Sequence, residues 1–124
     1  ALTYYGRWTY KLEQAARMGA AGAILIHTNE SAGYGWNVVR TSFGGWRFDV
    51  ARTTNDKTPA LNWRSWMTES AARAIFKQGG RDLDDLRTKA RSRDFQPVKL
   101  GVRAKIDVRS EMKRVDSNNV VGIW

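Results

Sequence analysis

Few side chains in this 124-residue chain could support catalysis or hold a metal ion. The chain has no cysteine and one histidine, His27, whereas a catalytic zinc site commonly uses two or three imidazoles. A Ser-His-Asp relay needs an imidazole directed at a serine. His27 instead ends an apolar run, where one hydrogen bond would satisfy a buried ring. We therefore expect His27 to be structural, and we predict no catalytic residue, metal site or cofactor site in this chain.

The aspartates at 82, 84 and 85 are the closest approach to a metal-binding pattern. Their spacing lacks the Asp-x-Asp-x-Asp-Gly loop and the closing glutamate of a calcium loop. A helix that begins after Asp82 explains all three, because Asp82 would cap it and the other two would lie in its first turn. The helix dipole favours carboxylates at that end.

Aromatic side chains are the strongest candidates for binding, since the chain has six tryptophans, four tyrosines and four phenylalanines. Trp36, Trp46, Trp63 and Trp66 could form a platform for a peptide or a sugar, but we expect about two of these four to belong to the core. Loop positions on a rigid scaffold more often carry function. The residues that we predict to contact a substrate or partner are Tyr5, Arg7, Trp8, Tyr34, Trp36 and Trp46.

The charge is strongly basic, with 21 Lys and Arg against 12 Asp and Glu, which gives a formal net charge of +9. Residues 87–114 contain much of this excess and could bind nucleic acid through phosphates. Within 98–108, however, charged positions alternate with apolar ones, as on the wet face of any strand. We favour a solvated face without specific nucleic-acid recognition, and we retain a small basic nucleic-acid-binding α/β domain as the alternative function.

The length suits one globular domain, since single domains cluster at about 100–150 residues. Apolar periodicity predicts about five or six strands and three helices in mixed order, which indicates an α/β domain. The predicted elements are a helix from Thr9 to Gly19, a buried strand over 20–27, short strands near 36–40 and 46–50, a strand over 59–67, a helix over 69–78 capped by Thr68, a helix of about two turns after Asp82, an alternating strand over 98–108 and a last strand over 120–123. The stretch 59–67 could also open a helix, and we favour the strand.

No apolar run approaches the ~20 residues that a membrane-spanning helix needs, so we predict no membrane span. The first residues also lack the charged and apolar regions of a signal peptide.

Three stretches together carry a family resemblance: Tyr-Gly-Arg-Trp-Thr-Tyr-Lys at 5–11, which leads into an alanine-rich segment and a buried run over 13–27; Trp-Met-Thr-Glu-Ser-Ala-Ala at 66–72; and Ser-Asn-Asn-Val-Val-Gly at 117–122. The set resembles the protease-associated (PA) domain inserted in zinc aminopeptidases related to the transferrin receptor and glutamate carboxypeptidase. The first and last stretches resemble the bacterial aminopeptidase version more narrowly.

This resemblance implies a mixed sheet or open β-sandwich or barrel flanked by about three helices. It implies that residues 1–124 are a single accessory domain without its first strand or strands, and that 118–124 begin the return into a peptidase domain. An unpaired sheet edge would then favour self-association.

The resemblance also implies a non-catalytic role, because the family's zinc ligands lie in the peptidase domain and none maps onto this chain. The implied roles are to shape access to the active site, to help select substrates or to mediate protein contacts. The implied partners are the parent's own peptidase domain and a peptide or protein substrate, and the implied location of the parent is periplasmic or extracellular.

Overall fold

A computed structural model describes residues 3–53 and 55–122. Helices and two strands alternate along the first three quarters of the chain, and residues beyond 90 carry no helix or strand in the described part. After a short 3₁₀ helix at Tyr4–Gly6, the elements are α1 (Trp8–Arg17), β1 (Gly22–His27), α2 (Asn29–Ala32), α3 (Trp36–Phe43), β2 (Trp63–Thr68), α4 (Glu69–Gln78) and α5 (Leu83–Lys89).

The sheet consists of β1 and β2, which pair in parallel from Gly22 opposite Trp63 to His27 opposite Thr68. Strand β1 and the end of β2 match the sequence prediction within two residues, whereas β2 begins at Trp63, four residues after the predicted start. The α/β class is confirmed. Neither outer edge of this sheet pairs with a third strand among the described residues. The parallel pairing places the carboxyl ends of both strands, and the helices that follow them, at the same edge.

Side-chain caps set the beginnings of α4 and α5 where the sequence predicted them. The backbone N–H of Ala71 donates to Oγ1 of Thr68 at 3.2 Å, and that of Asp85 donates to Oδ1 of Asp82 at 2.8 Å. Each bond satisfies one of the N–H groups that a helix leaves free in its first turn. Both caps are therefore confirmed.

Helix α1 begins one residue earlier than predicted. Arg7 precedes the first helical residue, Trp8, with an extended backbone and no side-chain cap, so Thr9 lies within the helix and not at its start. The predicted end is confirmed, because Gly19 adopts a left-handed conformation with φ of 75°. The earlier start places the indole of Trp8 on the helix, beside the sheet.

The core is small and its members come from α1, α3, α4 and α5, of which α1 and α4 pack on the sheet and α5 packs on α4. Its buried apolar residues are Leu12, Ala16, Val39, Ala72 and Leu83. Ala72 has no exposed surface, because α4 packs on both strands. A small buried side chain there lets the helix approach the sheet closely.

The strands predicted near 36–40 and 46–50 are wrong. Residues 36–40 belong to helix α3, and 46–50 form no strand, with Phe48 and Val50 at 85% and 88% exposure. Trp36, Val39 and Phe43 lie at i, i+3 and i+7, which is the spacing of one helical face. That spacing outweighs the β-propensity of the paired valines at 38 and 39.

The alternating segment 98–108 forms no strand with any residue that the structure describes. Its first part packs on the end of α4, where a side chain at Gly79 would collide with the carbonyl oxygen of Leu100. Val108 is 75% exposed, so the apolar face is only partly covered. An alternating pattern indicates that a segment could be a strand, but a strand forms only where a neighbouring strand shares its hydrogen bonds. The lack of such a neighbour among the described residues explains why the predicted strand is not formed. The predicted strand over 120–123 is also not formed at 120–122, and 123 lies outside the described residues.

Of the predicted helices, α1, α4 and α5 are confirmed, and α2 and α3 are additional. None of the helices within 3–53 and 55–122 combines the length and apolar character needed to cross a bilayer.

Candidate functional site

Three aromatic side chains from distant parts of the chain meet at one side of the sheet. Trp8 begins α1, Phe43 ends α3 and Trp66 lies within β2. Their ring centroids are 5.8 Å apart for Trp8 and Phe43, and 5.7 Å apart for each of the other two pairs. These distances are typical of stabilising aromatic pairs. We call Trp8, Phe43 and Trp66 the aromatic trio.

The trio forms one wall of an open groove with a volume of about 740 Å³. The buried side chains of Leu12 and Val39 also line it, as does Trp36. This volume lies within the range of about 300–1,000 Å³ that is usual for ligand sites. Trp8 and Phe43 keep 39% and 37% of their surface exposed, so the groove presents aromatic surface to solvent.

The groove has a basic rim formed by Arg40, Arg47 and Arg64, with Asp49 as its acidic member. The guanidinium carbon of Arg47 lies 4.1 Å from the ring centroid of Phe43, a cation–π contact. A terminal nitrogen of Arg64 lies 3.6 Å from Oδ2 of Asp49, and both side chains are largely exposed. Arg40 forms no ion pair with any described residue. The rim therefore carries a net positive charge.

Of the six predicted contact residues, Trp8 and Trp36 line the groove. Tyr5 lies outside it, with its ring 5.0 Å from that of Tyr10, and Arg7 precedes α1. Tyr34 stacks on His27, and Trp46 is 73% exposed beside the ammonium group of Lys113 at 5.7 Å. The structure does not bring these four residues to the groove.

The contact prediction omitted Phe43, Trp66 and the rim arginines. Trp66 was a candidate only for a broader aromatic platform. The spacing of Trp36, Val39 and Phe43 is the one sequence signal that indicates the groove-facing side of α3.

His27 is 4% exposed, as expected for a structural histidine. Its Nε2 lies 3.2 Å from Oδ1 of Asn29, and its ring is held between Tyr34 at 5.4 Å and Trp36 at 5.8 Å. Its Nδ1 is buried without a hydrogen-bond partner among the described residues. The imidazole therefore acts as a packed ring with one polar contact.

The acidic residues near 82 belong to an ion-pair network between α4 and α5. Arg73 binds Oε1 of Glu69 at 2.8 Å and Oδ2 of Asp84 at 2.7 Å, and Arg87 binds the same Glu69 oxygen at 2.6 Å. The guanidinium groups of Arg87 and Arg73 hold the pKa of Glu69 below its ordinary value, and Arg73 does the same for the pKa of Asp84.

These ion pairs link the two helices. They also mean that the carboxylates of Glu69 and Asp84 are already paired with arginines of the chain. Asp85 similarly binds Nζ of Lys89 at 2.7 Å. No group of three or more histidine or acidic side chains within 3–53 and 55–122 is arranged to hold a metal ion.

Comparisons of the chain with protein-family models, with curated proteins and with solved structures found no match.

Proposed function

We propose that this chain is a non-catalytic protease-associated domain of a zinc-dependent exopeptidase and that it contacts a peptide or protein through the groove. The observation that carries this proposal is the aromatic trio. Two of its members lie in stretches that resemble the family, Trp8 within 5–11 and Trp66 within 66–72. Two residues of the resembling stretches thus contribute to the lining of the groove.

The chemistry of the groove favours binding over reaction. Tryptophan and arginine are enriched among the residues that dominate binding energy at protein interfaces, and both line this groove. Ser65 is its one hydroxyl-bearing residue among those described, and no histidine lies in the lining to activate it. An open apolar wall with a charged rim selects a ligand by shape and charge.

In the parent peptidase, the domain would sit beside the catalytic cleft and limit or select what enters it. The zinc would be held by the peptidase domain, and the parent would be exported. The finer fold that we propose is a PA-type mixed sheet or open β-sandwich or barrel, in which first strands outside this chain complete the sheet and 118–124 lead back to the peptidase domain. Self-association through an unpaired edge stays a prediction.

The isolated chain is expected to hydrolyse no aminoacyl-nitroanilide substrate above the buffer rate when zinc is added. The physical reason is that the lining holds no histidine, and that its carboxylate, Asp49, pairs with Arg64 and is not hydrogen-bonded to Ser65 among the described residues. A chromogenic assay with an authentic zinc aminopeptidase as the positive control measures this. Turnover that rises in proportion to the concentration of the chain would contradict the non-catalytic role.

The alternative function, nucleic-acid binding, is favoured by one observation. Lys99, Arg103, Lys105 and Arg109 are exposed, and none forms an ion pair with the residues that the structure describes. A salt titration with duplex and single-stranded DNA separates the two functions, because phosphate contacts give affinity that falls steeply with ionic strength. The accessory role predicts little affinity at physiological salt.

A further inference from the structure

We infer that the groove binds an acidic peptide segment and takes up one aromatic or large aliphatic side chain of that segment against the aromatic trio. This inference rests on the proposed function in one respect, namely that the groove is a contact surface. The class of ligand follows from the shape of the apolar wall and from the charges on the rim.

The apolar wall fits an inserted side chain better than a flat ligand. The planes of Trp8 and Phe43 meet at 79°, those of Trp8 and Trp66 at 60°, and those of Phe43 and Trp66 at 51°. Rings tilted in this way present edges as well as faces to the groove, which suits a bulky side chain that packs by edge-to-face contact. A nucleobase is instead bound by stacking on an exposed flat ring face.

The rim selects the charge of the segment. The lining contains three arginines and one aspartate, so carboxylates are attracted and ammonium groups are repelled. The guanidinium of Arg47 stacks on Phe43, and a stacked guanidinium keeps its in-plane N–H donors available for a carboxylate. The 3.6 Å separation of Arg64 from Asp49 is longer than a good hydrogen bond, so a peptide carboxylate can compete for Arg64.

Two of the rim arginines lie next to the aromatic trio. Arg47 touches Phe43 of the trio, and Arg64 lies two residues before Trp66 on the same strand. Residues i and i+2 of a strand point to the same face of a sheet. A single short segment can therefore place a bulky side chain against the trio and a neighbouring acidic side chain on an arginine.

The test uses the purified chain and fluorescein-labelled peptides in a polarisation assay at physiological salt. The probe is Asp-Glu-Phe-Glu-Asp, and the comparison peptides are Asp-Glu-Ala-Glu-Asp and Lys-Lys-Phe-Lys-Lys. We expect saturable binding of the first peptide, at least about tenfold weaker binding of the alanine peptide, and no binding of the lysine peptide. Equal affinities for the phenylalanine and alanine peptides would show that no bulky side chain packs against the trio, and this would overturn the inference.

Variants locate the binding. Arg47→Glu and Arg40→Glu are each expected to lower the affinity for the acidic peptide by about tenfold or more, since each reverses a charge on the rim. Arg103→Glu is the matched control, because it makes the same change in net charge at an exposed position outside the groove lining. Circular dichroism confirms that each variant remains folded. An Arg103→Glu effect as large as that of Arg47→Glu, or tighter binding of a single-stranded oligonucleotide of matched charge, would overturn the inference.

The result is separable from the proposed function. Binding of phenylalanine peptides without preference for acidic ones would overturn the ligand class and leave the groove as a contact surface. Zinc-dependent turnover by the chain would contradict the accessory role and leave the measured peptide preference in place.

Discussion

An Ala72→Asp variant is expected to lose its cooperative thermal unfolding transition, whereas Ala74→Asp on the same helix keeps it. Ala72 is fully buried where α4 packs on the sheet, and Ala74 is exposed. Burying a carboxylate without a partner costs several kcal/mol, a large share of the ~5–15 kcal/mol that stabilises a typical domain. Far-UV circular dichroism melts of both variants and the wild type measure this.

The two variants carry the same charge on the same helix, so helix propensity and net charge are matched. Only burial differs between the two positions. Equal melting temperatures for both variants would show that α4 does not pack on β1 and β2 through Ala72. The contact between the helix and the sheet would then be wrong.

His27→Ala is expected to lower the free energy of unfolding by about 3 kcal/mol, because it removes a buried ring and leaves a cavity. In the structure that ring fills the space between Tyr34 and Trp36. His27→Phe is expected to stay within about 1.5 kcal/mol of the wild type, since an apolar ring of similar shape replaces it. The phenylalanine also removes the buried Nδ1 that has no partner. Urea unfolding followed by tryptophan fluorescence measures both.

This pair distinguishes a packed ring from a polar functional group. A His27→Phe variant as unstable as His27→Ala would mean that a nitrogen of the imidazole is needed. The structural interpretation of His27 would then fail, and the hydrogen bond to Asn29 would be the first contact to test.

The elements that the sequence predicted well are those with local determinants. The α4 and α5 caps depend on side chains within three residues of the N–H groups that they satisfy. Strand β1 follows from a short apolar run bounded by glycine and histidine. Such signals act over a few residues, so one sequence is enough to interpret them.

Elements that depend on distant partners could not be predicted in the same way. The alternation over 98–108 indicates a strand, but a strand also needs a neighbour to accept and donate its hydrogen bonds. Among the described residues none supplies that neighbour. In the glycine-rich stretch around α3, β-branched and aromatic residues favour strands, and the helical spacing of Trp36, Val39 and Phe43 is the one local signal for the helix that forms.

The groove, too, could not be predicted from local sequence patterns, because its residues are distant in the sequence. Its three aromatic members are at positions 8, 43 and 66, and only the tertiary fold brings their rings within 5.8 Å. Residue type alone favoured exposed loop aromatics, which led to Trp46 and Tyr34. Trp8 and Trp36, two of the predicted contact residues, do line the groove, but the sequence did not indicate Phe43 and Trp66 as their partners there.

We propose that the aromatic trio and its arginine rim form the binding surface of this domain. The most direct measurement is an amide and indole ¹H–¹⁵N correlation spectrum recorded during titration with the Asp-Glu-Phe-Glu-Asp peptide. We predict that the largest shifts fall on the indole N–H groups of Trp8 and Trp66 and on the amides of Val39, Phe43 and Arg47. Shifts confined to the segment 98–114, or to the residues around His27 and Tyr34, would contradict that claim.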